Sequence, residues 1–220
     1  NTTNLGISFY GMGRGDNAYV SGIAYLGGGN TSFTRQLQAM NFNTSTNVNV
    51  MSYVAAGRLE AGYSFRPFQN ERGHVQITPF AAVQPTYIHQ KGVQENFSGL
   101  GSGFNYAATD NTAVPIFAGL EFSGSHRTEG GTKISPFFRA SWMAETQPKG
   151  EMGASYNANQ GVNVYFNGTP NLGNAMLYKV GSVFDSGGAV SGFFTLDYDY
   201  GNASYAYRNY GTSFGLKYAF

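Results

Sequence analysis

Large apolar residues occupy every second position in several stretches of the chain. At its end, Phe214, Leu216, Tyr218 and Phe220 alternate with small or polar residues. Because successive side chains of a strand point to opposite faces, this alternation predicts a strand with one apolar and one polar face. Similar alternation covers residues 5–13, 18–27, 51–66, 74–90, 113–126, 133–145, 175–185 and 190–200, so the sequence predicts about nine strands in all.

The segments between these strands alternate between short turns and long loops. Short turns are predicted near 67–73, 127–132 and 186–188, and long loops near 38–50, 91–111 and 146–174. Transmembrane barrels have short periplasmic turns and longer extracellular loops. The pattern therefore predicts an all-β fold, an antiparallel transmembrane β-barrel of the outer-membrane type, whose last strand ends on the periplasmic side. A water-soluble β-sandwich is the alternative, but it would not need this asymmetry.

The composition supports a membrane barrel. Charged residues make up 11% of the chain, against about 25% in a typical soluble domain. No stretch approaches the roughly 18 consecutive apolar residues of a membrane helix. The mean hydropathy of −0.27 fits a barrel, because lipid-facing apolar residues alternate there with polar residues of the lumen. We therefore expect the bacterial cell outer membrane as the location, with outer-membrane lipid and lipopolysaccharide around the barrel.

Several other classes of protein are disfavoured. The chain has no cysteine, which excludes disulfides and thiolate metal sites, and its three histidines, His74, His89 and His126, are too scattered to predict a metal site. A formal net charge of +1 without a basic tract predicts no nucleic-acid partner. The sequence has no Gly-x-Ser-x-Gly motif and no arrangement of Ser, His and Asp that indicates a catalytic triad, so we expect no enzyme and no cofactor.

Seven charged residues share the strand face opposite to the apolar one. An Arg or Lys on the lipid side of the bilayer midplane would cost about 2–4 kcal/mol, and placement in the lumen avoids this cost. Two interpretations are open: these side chains line a hydrated path for a passenger chain, or they form salt bridges that only hold the shape of the barrel. The predicted pore-lining residues are Arg58, Glu60, Glu121, Arg139, Lys179, Asp197 and Asp199.

Aromatic residues near strand ends predict a girdle at the membrane interface. The alternative is the ordinary preference of aromatic residues for strands. The predicted girdle residues are Tyr63, Tyr87, Trp142, Tyr198 and Tyr200.

Five segments occur in the order found in one known family. Residues 58–63 read Arg-Leu-Glu-Ala-Gly-Tyr and resemble an Arg-x-Glu-x-Gly-Tyr strand, and residues 77–82 resemble a Leu-Thr-Pro-Tyr-Ala-Gly strand. Residues 116–121 and 134–142 match the next two strands, and residues 214–220 match the last. From about Leu5 to Phe220 the chain resembles the C-terminal β-barrel translocator domain of autotransporters, the type V secretion proteins.

This resemblance implies a translocator domain over residues 1–220 that is anchored in the outer membrane and exports an N-terminal passenger, encoded upstream in the same gene, to the cell surface. The family's barrel has twelve strands and a plug helix. The first strand predicted here corresponds to the family's fourth, so we expect this chain to lack the opening strands and the helix.

The last strand also carries a possible assembly signal. The spacing of Gly215, Tyr218 and Phe220 resembles the family's C-terminal signal, which implies recognition by the barrel-assembly machinery. A stand-alone outer-membrane barrel, either a small porin or an anchor or adhesin whose long loops bind an external ligand, is the alternative function.

Overall fold

The computed structural model describes residues 1–39, 42–97, 103–145, 151–156, 163–167, 173–202 and 206–218. In these ranges no helix is both long and apolar enough to cross a membrane. A principal sheet contains β1 (Thr2–Arg14), β2 (Ala18–Ala39), β3 (Phe42–Tyr63), β4 (Phe65–Asn70), β5 (Gly73–Val83), β6 (Thr86–Gln90), β9 (Thr109–Ala113), β10 (Ile116–Arg127), β11 (Lys133–Ala144), β14 (Asn174–Asp185), β15 (Val190–Asn202) and β16 (Ala206–Tyr218). A separate small sheet contains β7 (Val93–Gln94), β8 (Phe104–Tyr106), β12 (Glu151–Tyr156) and β13 (Asn163–Asn167).

The principal sheet is antiparallel, with the order β1-β2-β3-β5-β10-β11-β14-β15-β16, and β4, β6 and β9 lie beside this path. Strand β4 continues β3, while β6 and β9 are continuations of β5 and β10 across short breaks. Counted with their continuations, the described strands of this sheet form nine long strands. The strand number predicted from the alternation of apolar residues is therefore confirmed for the part of the chain that the structure describes.

Prolines mark the irregularities in this sheet. Pro85 lies between β5 and β6, and Pro115 lies between β9 and β10 on the neighbouring strand. Gly57 donates its amide to the Pro85 carbonyl over 2.8 Å, and Gln84 donates to the Pro115 carbonyl over 3.0 Å, so the two breaks lie side by side. Pro79 lies where the partner of β5 changes from β3 to β4. Because proline cannot donate to a ladder, these positions are where a strand tolerates it.

Short turns close the hairpins at one end of the sheet, at residues 15–17, 71–72, 128–132 and 186–189. The turn predicted at 67–73 is narrower than expected, because β4 extends to Asn70. Gly131 and Gly187 adopt positive φ angles of 84° and 72° in two of these turns, where a larger side chain would be strained. We call this end of the sheet the turn end and the opposite end the loop end.

The loop end contains more regular structure than the sequence predicts. The long loops predicted near 91–111 and 146–174 contain the described strands of the small sheet, whose order is β13-β12-β8-β7. Of these strands, β13 lies where the sequence has a weak strand signal, at 161–166. The long loop predicted near 38–50 is a correction of the same kind, since β2 and β3 pair up to Ala39 and Phe42 and form one long hairpin.

The pairing register of the principal sheet shifts steadily in one direction. Directly paired residues can be followed from strand to strand across the sheet. This row starts near the turn end of β1 and ends near the loop end of β16. It comprises Gly13, Val20, Ala61, Ala81, Ala118, Trp142, Met176, Tyr200 and Arg208. Such a stagger is what a sheet needs in order to close into a barrel. Within the described residues β1 and β16 each pair on one side only, so the sheet is not closed.

The two faces of the principal sheet differ in exposure. One face presents large apolar side chains outward, such as Leu59 at 56% and Leu120 at 44% exposure. The opposite face is crowded, and Thr78 and Phe80 are only 2% and 5% exposed there. We call them the outer face and the lumen face. An exposed apolar face opposite a polar, crowded one is the arrangement of a barrel that faces lipid.

Candidate functional site: the charged lumen face

Four of the predicted pore-lining residues meet in one network on the lumen face. Oε2 of Glu60 accepts bonds from Nη2 of Arg58 over 2.8 Å and from Nη2 of Arg139 over 2.6 Å. Nη1 of Arg139 lies 3.4 Å from Oε2 of Glu121, its direct cross-strand partner. Glu60 lies on β3 and Arg139 on β11, with β5 and β10 between them. The network therefore spans four neighbouring strands.

Aromatic rings on the two intervening strands support both arginines. Cζ of Arg139 lies 3.5 Å from the centroid of the Phe80 ring, and Cζ of Arg58 lies 4.4 Å from that of Phe117. A guanidinium over an aromatic face is attracted by the negative charge of the ring face. From β2, the Tyr19 hydroxyl donates to Oε1 of Glu60 over 2.7 Å. Glu60 thus has hydrogen-bond donors on both of its carboxylate oxygens.

The other three predicted residues form a second group on β14 and β15. Lys179 and Asp197 face each other across the ladder, with Nζ 3.0 Å from Oδ1. Asp199 accepts a bond from Nδ2 of Asn209 on β16 over 3.2 Å. The structure therefore places all seven predicted residues on the lumen face, in two groups. Their role as pore lining stays a prediction.

An open cavity of about 560 Å³ lies between these two groups. Arg58, Glu60 and Arg139 line it on one side, and Lys179, Asp197 and Asp199 line it on the other. With Glu121 included, three positive and four negative side chains surround this region, so their charges nearly cancel. Among the described residues, no three His, Cys, Asp or Glu side chains are grouped in a way that could hold a metal ion.

The predicted girdle residues lie on the outer face. Tyr63, Tyr87, Trp142 and Tyr200 are between 37% and 46% exposed. Tyr198 lies between Tyr178 and Tyr210 in one row across β14, β15 and β16, with ring centroids 6.2 and 5.1 Å apart. Their function at a membrane interface stays a prediction.

The predicted assembly signal lies partly in β16. Gly215 is on the lumen face beneath the Phe193 ring of β15, and a Cβ at this position would collide with the ring. Tyr218 is exposed on the outer face. Phe220 lies outside the described residues, and recognition of this segment by an assembly machinery stays a prediction.

The sequence prediction missed four members of the lumen site: Tyr19, Phe80, Phe117 and Asn209. Phe80 and Phe117 lie on the face of their strands that otherwise carries small or polar residues. An aromatic residue on such a face could have indicated a member of the site. Tyr19 had none, because residues of β2 near it are small or apolar on both faces.

Comparison with known proteins identifies the family. Residues 1–197 match the family model of the autotransporter β-domain. The chain belongs to the autotransporter β-domain family. Among solved structures, this autotransporter domain is similar to the transport unit of the autotransporter AIDA-I from Escherichia coli, with 11% identity, coverage of 100% of this chain and 89% of that chain, and a TM-score of 0.24. No curated protein matches it.

Family membership confirms the resemblance, the barrel fold class and the location predicted from the sequence. The chain is an outer-membrane β-barrel translocator domain of a Gram-negative bacterium. Membership also implies a passenger domain upstream. How much of the family's barrel lies within residues 1–220 stays a prediction.

Proposed function

We propose that the lumen face is the path along which this translocator domain exports its passenger to the cell surface. The observation that carries this proposal is the open, charge-lined cavity of about 560 Å³ between the two groups of ion pairs. A moving polypeptide carries N–H and C=O groups that need hydrogen-bond partners or water. A polar wall of nearly balanced charge supplies such partners without favouring passengers of one charge.

The same ion pairs also hold the wall together. Glu60 and Arg139 connect β3 with β11, and Lys179 and Asp197 connect β14 with β15. The two interpretations left open by the sequence are thus compatible, since a wall that keeps its shape is what a moving chain needs.

Two substitutions on neighbouring residues of β11 test the export path. Ser141 is on the lumen face and lines the cavity, whereas Ala140 is on the outer face. In cells that produce the chain with its passenger, we expect Ser141→Trp to stall the passenger in the lumen and Ala140→Trp to allow export. The measurement is protease accessibility of the passenger on intact cells, normalised to the folded barrel in the outer membrane. Equal surface exposure in both folded variants would reject the proposal.

We propose recognition of β16 by the barrel-assembly machinery. The support is the outward Tyr218 together with the family-like spacing to Gly215 and Phe220. We expect Tyr218→Ala to lower the amount of folded barrel in the outer membrane, measured as heat-modifiable protein in gels. Tyr210→Ala removes the same ring from the same strand and face, and it should have the smaller effect. The reverse order would argue against a signal at Tyr218.

We propose that lipopolysaccharide contacts the outer face at the loop end. Trp142, Tyr200 and Arg208 lie in one register row there, and Arg208 is exposed on that face. A cation beside amphipathic rings suits the anionic headgroups of an outer leaflet. Arg208→Gln should reduce the lipopolysaccharide that copurifies with the domain, and Arg66→Gln at the turn end should not.

We also propose that the domain performs no chemical catalysis. Glu60, Glu121 and Asp197 in the lumen each form an ion pair with an arginine or lysine, which supports a structural role for these carboxylates. Turnover of a peptide or ester substrate by the purified domain, lost on substitution of these residues, would contradict this.

A further inference from the structure

The lumen face of β3 continues beyond the barrel wall and is buried there. Thr44, Thr46 and Val48 are only 2–7% exposed, although they lie in the long hairpin that projects at the loop end. They are separated from Glu60 by even numbers of residues along β3, so their side chains lie on the same lumen face. The alternate residues Asn43, Ser45, Asn47 and Asn49 are all exposed. Only the lumen side of the hairpin is therefore covered.

The small sheet covers this side, and Arg35 of β2 connects the two. Arg35 pairs directly with Thr46, so it lies on the same face. Its Nη1 lies 2.9 and 3.1 Å from the carboxylate oxygens of Glu95 and donates to the Tyr106 hydroxyl over 2.9 Å. Its Cζ lies 5.9 Å from the centroid of the Phe104 ring. One arginine of the principal sheet thus contacts three residues of the small sheet or its connections.

The small sheet has an interior of its own but packs incompletely on the hairpin. Phe97 and Ala154 are buried, and the rings of Phe104 and Tyr156 are 5.7 Å apart. A cavity of about 370 Å³ remains between the two units. It is lined by Phe33, Val48 and Val50 of the hairpin and by Val93 and Tyr106 of the small sheet. The ion pair between half-exposed Arg35 and buried Glu95 is therefore a principal contact between the two units.

We propose that the small sheet is a gate at the loop-end mouth of the lumen and that the ion pair between Arg35 and Glu95 is its latch. In the closed form the small sheet lies on the lumen side of the hairpin, over the path of a molecule that leaves the lumen. When the latch breaks, water solvates both charges and the small sheet moves off the hairpin. The use of this gate in secretion rests on the export path proposed above, but its opening can be measured without a passenger.

An ion pair with one buried partner suits a latch for an electrostatic reason, and here Glu95 is buried while the Arg35 side chain is 47% exposed. The attraction between the charges is largely offset by the loss of their hydration, so a complete pair can separate at small net cost. Removing only Arg35 has a different result, because the buried charge that remains loses its arginine partner in the closed form. Glu95, at 1% exposure, is such a charge. A change at Arg35 should therefore favour the open gate strongly.

A single introduced thiol tests the gate, because the chain has no cysteine of its own. Gly211 lines the lumen cavity, and a Cβ there would come no closer than 3.5 Å to another atom, so Gly211→Cys should be tolerated. Intact cells that produce the full chain are treated with a membrane-impermeant maleimide. We expect slow labelling in the parent and labelling at least about tenfold faster with Arg35→Gln. The exchange Arg35→Glu with Glu95→Arg should return the rate towards that of the parent.

Two controls separate gating from general damage. Asn49→Cys, on the exposed side of the hairpin, should be labelled at the same rate in the parent and in the latch variants. Lys133→Gln changes a charge at the turn end and should leave the labelling of the Gly211→Cys thiol unchanged. If Arg35→Gln lowers the amount of barrel, Tyr106→Phe removes the hydroxyl that contacts Arg35 and Glu95 but keeps the ion pair, and it should give a smaller acceleration.

Fast labelling in the parent, or equal labelling in the parent and in both latch variants, would overturn the gate. The test does not involve the passenger. If export fails the Ser141 test but Arg35→Gln accelerates labelling, only the export path is rejected. If export passes that test but labelling does not depend on the latch, only the gate is rejected.

Discussion

At the scale of single residues, Glu60 is the member of the lumen network with the most partners. It receives bonds from Tyr19, Arg58 and Arg139 over 2.6–2.8 Å and is only 8% exposed. A charge this far from solvent depends on its partners for the stabilisation that water would otherwise provide. Glu121, by comparison, has one longer contact to Arg139, of 3.4 Å, and is more exposed.

This difference predicts unequal effects of the same substitution. We expect Glu60→Gln to lower the free energy of unfolding by about 2–3 kcal/mol, because Arg58 and Arg139 would lose their shared counter-charge. Glu121→Gln should cost less than about 1 kcal/mol, as for exposed ion pairs. Denaturant unfolding in detergent, followed by tryptophan fluorescence of Trp142, measures both. Equal losses would mean that Glu60 is not the centre of the network.

A second residue-scale prediction concerns pH at the loop end. Asp110, on the outer face beyond the apolar band, accepts bonds from the Tyr87 hydroxyl and from Nδ1 of His89, and these bonds lower the pKa of its carboxyl below the usual range. A lowered pKa gives stability that is present above the unfolded-state pKa and is lost as pH falls through the folded-state pKa. The carbon-13 shift of the Asp110 carboxyl should therefore titrate at lower pH in the folded protein than in the unfolded chain. In Tyr87→Phe it should titrate at higher pH, and an unchanged midpoint would contradict the assignment.

At the scale of strands, glycines on the lumen face make room for aromatic rings of neighbouring strands. Tyr19 lies over Gly62, Phe80 over Gly119, Phe137 over Gly181 and Phe193 over Gly215. Glycine in a strand interior normally weakens the strand, because it is flexible and has no side chain to pack. Here each glycine gains a ring as cross-strand neighbour, and the contact fixes the register of the pair. This explains part of the high glycine content of a chain made almost entirely of strands.

Adding one methyl group tests this packing. A Cβ at Gly119 would collide with the Ala140 carbonyl oxygen and with the Phe80 ring, whereas one at Gly11 of β1 would meet nothing within 4 Å. We expect Gly119→Ala to cost about 1–3 kcal/mol through overpacking. Gly11→Ala should change stability by no more than about 0.5 kcal/mol. Both changes in stability are measured as the temperature at which the band of folded protein in a gel is replaced by the band of unfolded protein. A tolerated Gly119→Ala would show that the packing around Gly119 is not tight.

At the scale of the whole molecule, the outer face of the principal sheet can contact lipid directly, whereas its edges need hydrogen-bond partners. The outer face suits lipid as it stands. The free edges of β1 and β16 do not, because each unpaired backbone group in the bilayer costs several kcal/mol. In the membrane these edges must therefore be paired, and the stagger of the strands is already the one a closed barrel uses.

The position of the small sheet predicts the electrical behaviour of the domain. Since it lies on the lumen side of the hairpin, we expect small and brief conductance steps in planar bilayers. Arg35→Gln should lengthen the openings, and heat-denatured protein serves as the blank. Large, steady conductance in the parent would contradict a closed small sheet.

The sequence by itself determined the strands and their faces. Alternation of apolar and polar residues has a period of two, which is a local property, and it was enough to place Arg58, Glu121 and Asp197 on the lumen face and Leu59 and Leu120 on the outer face. Together with the order of five strand segments, it also indicated the family. These conclusions needed no knowledge of which strands are neighbours.

Only the tertiary structure decided which of these side chains meet. Glu60 and Arg139 are 79 residues apart in the chain, and they come together because the curved sheet brings β3 and β11 near each other over two intervening strands. Most of the small sheet was equally inaccessible, since β7, β8 and β12 show no sustained alternation of apolar residues and the sheet packs on a distant hairpin. The pairing of Arg35 with Glu95 follows from that packing. A local period sets the face of a side chain, whereas register and curvature, which depend on the whole sheet, set its partner.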